Sequence, residues 1–163
     1  MPKRLSPITE RPLQVEHFAT STLRPDPHNA RKHSHRQIKQ LMNGIVEFGF
    51  TNPILVDEHL QVIAGHARLA AAKELKMETV PCIRLQHLTK PQKTALAIAD
   101  NKLTDMSSFD PQALAAQLAK LCEVDFPTEL TGFDTAEIDI VLGGSTITTP
   151  ERAETFVAPG SGA

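Results

Sequence analysis

Hydrophobic and polar positions along this chain switch between period two and period 3.6, and the switches predict a short series of elements. Leu13-Gln14-Val15-Glu16-His17-Phe18 alternates and predicts a half-buried strand over residues 13–18. Ile38, Leu41, Met42, Ile45 and Phe48 then recur at helical spacing. Ser34 with Gln37 forms a capping-box pair before them, and Gly49 supplies the stop. Two short apolar runs, residues 54–57 and 61–64, flank Glu58-His59-Leu60 and predict a hairpin. An alanine-rich helix follows Gly65 to about Lys76, and residues 80–85 read as another strand. Pro81 has no N–H to donate, which places it among that strand's first residues or on a sheet edge.

The second half of the pattern is helical. Thr89 with Gln92 makes a second capping box, Pro91 fits the first turn, and the helix extends to about Leu103. Asp110-Pro111 opens a helix reaching Leu121, and Asp134 with Glu137 opens another ending at Gly143-Gly144. Strands first and helices last make the fold α+β. No internal repeat is visible. Residues 1–12, with three prolines, read as a flexible arm, and the Thr/Gly/Ser/Ala-rich residues 144–163 as a disordered tail.

Composition narrows the function classes. A chain of 163 residues is long enough for one domain with a core, and without Trp or Tyr that core is aliphatic. No apolar run approaches the roughly 20 residues of a membrane helix, and no secretory signal is visible. Cys82 and Cys122 lack metal-type spacing and fit a reducing cytoplasm. The net charge of −2 conceals a gradient. Residues 1–36 hold seven basic and three acidic side chains, whereas residues 104–143 hold eight acidic and one basic. That asymmetry points to an anion at one end and a protein contact at the other.

Four constellations could carry chemistry. In Val62-Ile63-Ala64-Gly65-His66-Ala67-Arg68 a strand, a tight turn and a helix start bring free N–H groups and a guanidinium to one point, which favours phosphate. Asn29-Ala30-Arg31-Lys32, on a proline-punctuated loop, offers an arginine for bidentate phosphate contact. Asp100-Asn101 offers hard oxygen ligands of the kind Mg²⁺ accepts when phosphates complete its shell. Asn52, after Phe48-Gly49-Phe50-Thr51, could read a base edge. No zinc-type histidine pair and no nucleophile elbow is present.

The order of these blocks resembles the N-terminal domain of the ParB/sulfiredoxin superfamily. The resemblance covers about residues 13–105 and rests on residues 23–31, 45–56, 62–73 and 99–103. It implies a small domain with a short mixed sheet flanked by helices, which binds a nucleoside triphosphate (CTP or ATP) with Mg²⁺. Residues 106–143 then form an acidic helical extension. By analogy Gly65, His66 and Arg68 hold phosphates with Asn29 and Arg31, Asn52 lies near the base, and Asp100 and Asn101 lie near the metal. Partition ParB proteins usually follow this glycine with Glu-Arg-Arg, where this chain has His66-Ala67-Arg68, so hydrolysis is left open. Sulfiredoxin places a catalytic cysteine there, and neither cysteine of this chain is near, which speaks against sulfinic reductase chemistry.

The short segment after Asp105 leaves little room for the helix-turn-helix and dimerisation segments of a partition ParB. It is similar instead to ParB-type domains found before phage and plasmid DNA methyltransferases. The expected function is therefore a nucleotide-binding module, accessory or regulatory to a DNA-modification or partition system. The alternative is a DNA-binding protein or ParB-like nuclease. DNA and a DNA methyltransferase are the expected macromolecular partners, a homodimer is left open, and no membrane partner is expected.

Overall fold

The computed structural model describes residues 11–144. Most of the expected arm and nearly all of the expected tail lie outside the described residues. Strand β1 (Val15–Ala19) leads through a loop to helix α1 (His35–Phe48). Strands β2 (Ile54–Val56) and β3 (Val62–Ala64), helix α2 (His66–Glu74) and strand β4 (Thr79–Arg84) follow. Helices α3 (Lys90–Asp105) and α4 (Pro111–Glu123), a 3₁₀ turn (Thr128–Thr131) and α5 (Thr135–Leu142) complete the order.

The sheet order is β1-β4-β2-β3 and the sheet is mixed. β1 and β3 run antiparallel to their neighbours, while β2 and β4 are parallel. A parallel pair needs a crossover, and β3 with α2 supplies it. Placed this way, α2 packs on β2 and α1, and α3 lies against β3. Leu23, Ile54, Val56, Val62, Leu69, Ala72, Val80 and Cys82 form one buried cluster at the centre. A second, smaller cluster joins Leu118 of α4 to Ile138 and Val141 of α5.

Most predicted elements fall within two residues of the observed ones. The hairpin forms because Asp57 Oδ1 accepts from the N–H groups of His59 (2.8 Å) and Gln61 (2.9 Å) and fixes the turn. Ser34 caps α1, with the Gln37 N–H donating to its hydroxyl at 3.1 Å. Gln37 does not reach back to complete a box; its side chain meets His33 instead. The boxes at Thr89/Gln92 and Asp134/Glu137 both form.

Pro81 is the third residue of β4, an interior strand, so of its two expected placements it takes the one among the first residues; the parallel ladder with β2 begins one residue later, at Cys82. Two expectations need correction. In β1 the apolar Val15 faces solvent while Phe18 packs on the core, so the largest apolar side chain sets which face turns inward. Phe48 is 54% exposed, although its ring stacks on Phe126 at 6.4 Å between centroids.

Candidate functional site

The site is organised by the start of α2. Gly65 has φ +103°, a backbone conformation glycine adopts without strain. A Cβ there would lie 2.8 Å from Arg68 Nη2, so the bare glycine also makes room for the guanidinium. The first intrahelical bond runs from the Leu69 N–H to the Gly65 carbonyl at 2.9 Å. The amides of His66, Ala67 and Arg68 therefore have no intrahelical acceptor, and no side chain caps them. Uncapped N–H groups at the positive end of a helix suit an anion.

His66 is the first residue of that helix and ties it to the proline-rich loop. Its Nε2 accepts from the Asp26 N–H at 3.1 Å. Burial pushes its pKa down; Asp26 opposes that shift and His33 adds to it. The ring is accordingly neutral at physiological pH, with the proton on Nδ1 as the bond requires. Beyond Asp26 the loop closes on itself through Asn29. The Asn29 amide donates to the Arg31 carbonyl (3.1 Å) and accepts from the Arg31 N–H (3.3 Å), which aims Arg31 across to α3. Arg31 Nη1 donates to the Asn101 carbonyl and Nη2 to Asp105 Oδ1, both at 3.2 Å.

Loop, α2 start and α3 enclose a cleft of about 1060 Å³. Asn29, Arg31, His66 and Asn101 all line it, so the structure brings together residues from three separate stretches of the sequence. At its far end the β2–β3 hairpin contributes Asp57 and Glu58, which clasp Lys93 Nζ at 3.3 and 2.7 Å. Burial works against the Asp57 carboxylate, but the amides of Gln61 and His59 and the Lys93 ammonium outweigh it and hold its pKa down. The hydrogen bond to Glu58 raises the Lys93 pKa, so the ammonium stays charged. Sequence reading misses this end. The signal for it is the helical stripe Lys90, Lys93/Thr94, Ala97 and Asn101, on one face of α3.

Three expected site residues, Arg68, Asn52 and Asp100, lie outside this cleft. Arg68 and Asn52 line a separate hollow of about 360 Å³, walled by α1, the Gly49–Asn52 turn and Leu130–Gly132. There Arg68 Nη2 donates to the Pro53 carbonyl at 3.2 Å, and its buried Nε has no partner. Burial pulls the guanidinium pKa down, and the nearby Asp100 charge opposes this. Asp100 and Asn101 diverge as successive helical residues must. Asn101 lines the cleft and its amide donates to the Ala97 carbonyl at 3.0 Å, while Asp100 is exposed and is not part of the lining. Among the described residues no group of three His, Cys, Asp or Glu side chains is arranged to hold a metal. Cys82 is buried in the sheet, and burial with the Glu16 charge pushes its pKa up to about 11. Among the described residues no helix is long and apolar enough to cross a membrane.

A four-stranded mixed sheet that presents an uncapped helix start to a basic loop defines a class of small α+β domains. The ParB N-terminal domain model matches residues 8–102, and the chain belongs to that family. A second model, the ParB-methyltransferase HTH domain, matches residues 112–159. That match corrects the expectation that the segment after Asp105 leaves little room for a helix-turn-helix; α4 from its second residue, the 3₁₀ turn and α5 fall inside it. The chain is 50% identical over 86 residues to the ParB-like nuclease domain-containing protein YnaK of Escherichia coli K12, covering 53% of this chain and 91% of that protein. It is 24% identical over 152 residues to the stage 0 sporulation protein J of Bacillus subtilis, covering 90% of this chain and 54% of that one. In fold it is similar to the C-terminally truncated chromosome-partitioning protein ParB of Caulobacter crescentus complexed with CTP-γ-S. The TM-score is 0.67 at 20% identity, over 79% of this chain and 77% of the other.

Proposed function

We propose that this ParB-domain protein binds a nucleoside triphosphate with Mg²⁺ in the cleft between the proline-rich loop, the start of α2 and α3, as an accessory or regulatory module in DNA metabolism. The observation that carries the reading is the convergence of Arg31, Asn29, His66 and Asn101 on one cleft beside the uncapped amides after Gly65. Those amides and Arg31 would hold phosphate oxygens. Neutral His66 keeps the loop in place over them, and Asn101 offers an amide oxygen from the opposite wall. The donor set would fit a Mg²⁺ held mainly by phosphate, because Asn101 offers one hard amide oxygen on the cleft wall, whereas Asp100 lies outside the lining. Arg68 and Asn52 would join the site through the neighbouring hollow, where the Arg68 Nε–H still lacks an acceptor. The CTP-γ-S complex of the similarly folded Caulobacter protein supports this choice of ligand class.

Fluorescent-nucleotide titration in the presence of Mg²⁺ tests the proposal. Wild-type chain is expected to bind a labelled CTP or ATP and release it to unlabelled nucleotide, and Arg31→Ala and Arg68→Ala to weaken binding at least tenfold. A wild-type chain that binds neither nucleotide contradicts it.

A second reading, DNA binding or ParB-like nuclease action, is favoured by the seven basic side chains of residues 1–36 and by the likeness to YnaK. DNA held through phosphates would be released steeply by salt and only weakly by free nucleotide, which separates the two readings.

A further inference from the structure

The region that matches a helix-turn-helix has the wrong charge for DNA. Residues 112–159 contain eight acidic and two basic side chains. A protein that grips a duplex must neutralise phosphates with Lys and Arg, and this region offers almost none. α5 carries Glu137 and Asp139 and no basic residue. Lys120 is the single basic side chain from α4 to α5.

The opposite composition lies on the element it touches. From Pro27 to Val46 there is no acidic residue, while Lys32, Arg36 and Lys39 are all exposed on the loop and first turns of α1. Cations at a helix N-terminus run against the macrodipole, so local stability does not explain them. The two surfaces meet. Arg36 Nη2 reaches Asp134 Oδ2 at 3.0 Å and Glu137 Oε2 at 3.9 Å, the two side chains of the α5 capping box. Gln40 Nε2 donates to the Gly132 carbonyl at 2.8 Å beside them.

We infer that the DNA-facing surface of this chain is the basic start of α1, with Lys32, Arg36 and Lys39 as its phosphate contacts, and that the helical extension is an acidic cover competing with DNA for Arg36 rather than the part that reads DNA. The partner is a duplex backbone recognised by charge, so binding is independent of base sequence and falls steeply with salt. The inference does not depend on nucleotide binding in the cleft.

Anisotropy titrations of a labelled duplex with the full chain test it. Asp134→Asn with Glu137→Gln removes the charge while keeping side chains that cap a helix equally well. This double variant is expected to bind DNA about fivefold or more tightly at low salt, because Arg36 is released and two repelling charges are gone. Adding Arg36→Gln is expected to remove most of the gain, and Lys120→Gln alone to change nothing. A gain that survives Arg36→Gln, a loss of binding in Lys120→Gln, or no DNA binding by any of these chains would overturn the inference. Far-UV circular dichroism confirms that each variant keeps its helices.

Discussion

The sheet domain and the helical extension are built on different terms. The sheet domain buries eight residues in one cluster that joins three of its strands, α2 and the loop after β1, and its cleft hangs from that frame. The extension buries three, and it meets the sheet domain through exposed contacts such as Arg36 with Asp134 and the ring pair Phe48 with Phe126. A cleft that must hold several donors in fixed geometry needs the first kind of support. A cover that must come away from a basic surface needs the second, because exposed polar contacts open at low cost.

Mutation should separate the two regions. Ile54→Ala, at a fully buried position between β4 and β3, is expected to cost about 3–4 kcal/mol and shift the main urea unfolding transition. Leu118→Ala is expected to cost about 2–3 kcal/mol, with loss of amide protection confined to α4 and α5 in hydrogen exchange. If both substitutions moved one common transition equally, the extension would be an integral part of the sheet domain's core.

Gly65→Ala is expected to cost about 1–2 kcal/mol, since alanine at φ +103° is strained and its Cβ meets the Arg68 guanidinium. Nucleotide affinity should fall further than stability does, because the substitution displaces the helix start itself; equal losses would mean the glycine serves the fold alone. A pH effect of similar or smaller size should come from His66. Its folded pKa lies below the ordinary 6.5, so the folded chain favours the neutral ring. The stabilisation is complete above that value and is lost as pH falls through it towards the folded pKa. Urea midpoints measured from pH 7.5 down to pH 5 should therefore decline more in wild type than in His66→Ala. The smallest effect is expected for Arg36→Ala, roughly 0.5 kcal/mol or less, because the pair is exposed and screened. Thermal melting with and without added salt checks it.

Much of this was legible in the residues themselves, because capping boxes, the turn at Asp57 and the glycine before α2 are local signals. Local signals also picked out Asn29, Arg31, His66 and Asn101, since each belongs to a turn or helix end that sequence marks. That they share a cleft was implied by the family resemblance and not by any local signal. The contact of Arg31 with Asn101 and Asp105 spans 70 or more positions, and only the sheet order decides it. Lys93 carries no local mark; its role depends on the β2–β3 hairpin folding over α3 and presenting Asp57 and Glu58. The same holds for Pro81, since period-two patterning does not say whether a strand is interior or at an edge. Phe48 obeys helical spacing and yet faces outward, because its partner Phe126 lies in the extension.

The proposal that the cleft beside Gly65 takes a nucleoside triphosphate stands or falls on isothermal titration of the full chain with CTP and with ATP, each with Mg²⁺. One-site binding of at least one of them, lost when Arg31 is replaced by alanine, is the predicted result. A flat titration with both nucleotides, on a chain shown to be folded, would contradict it.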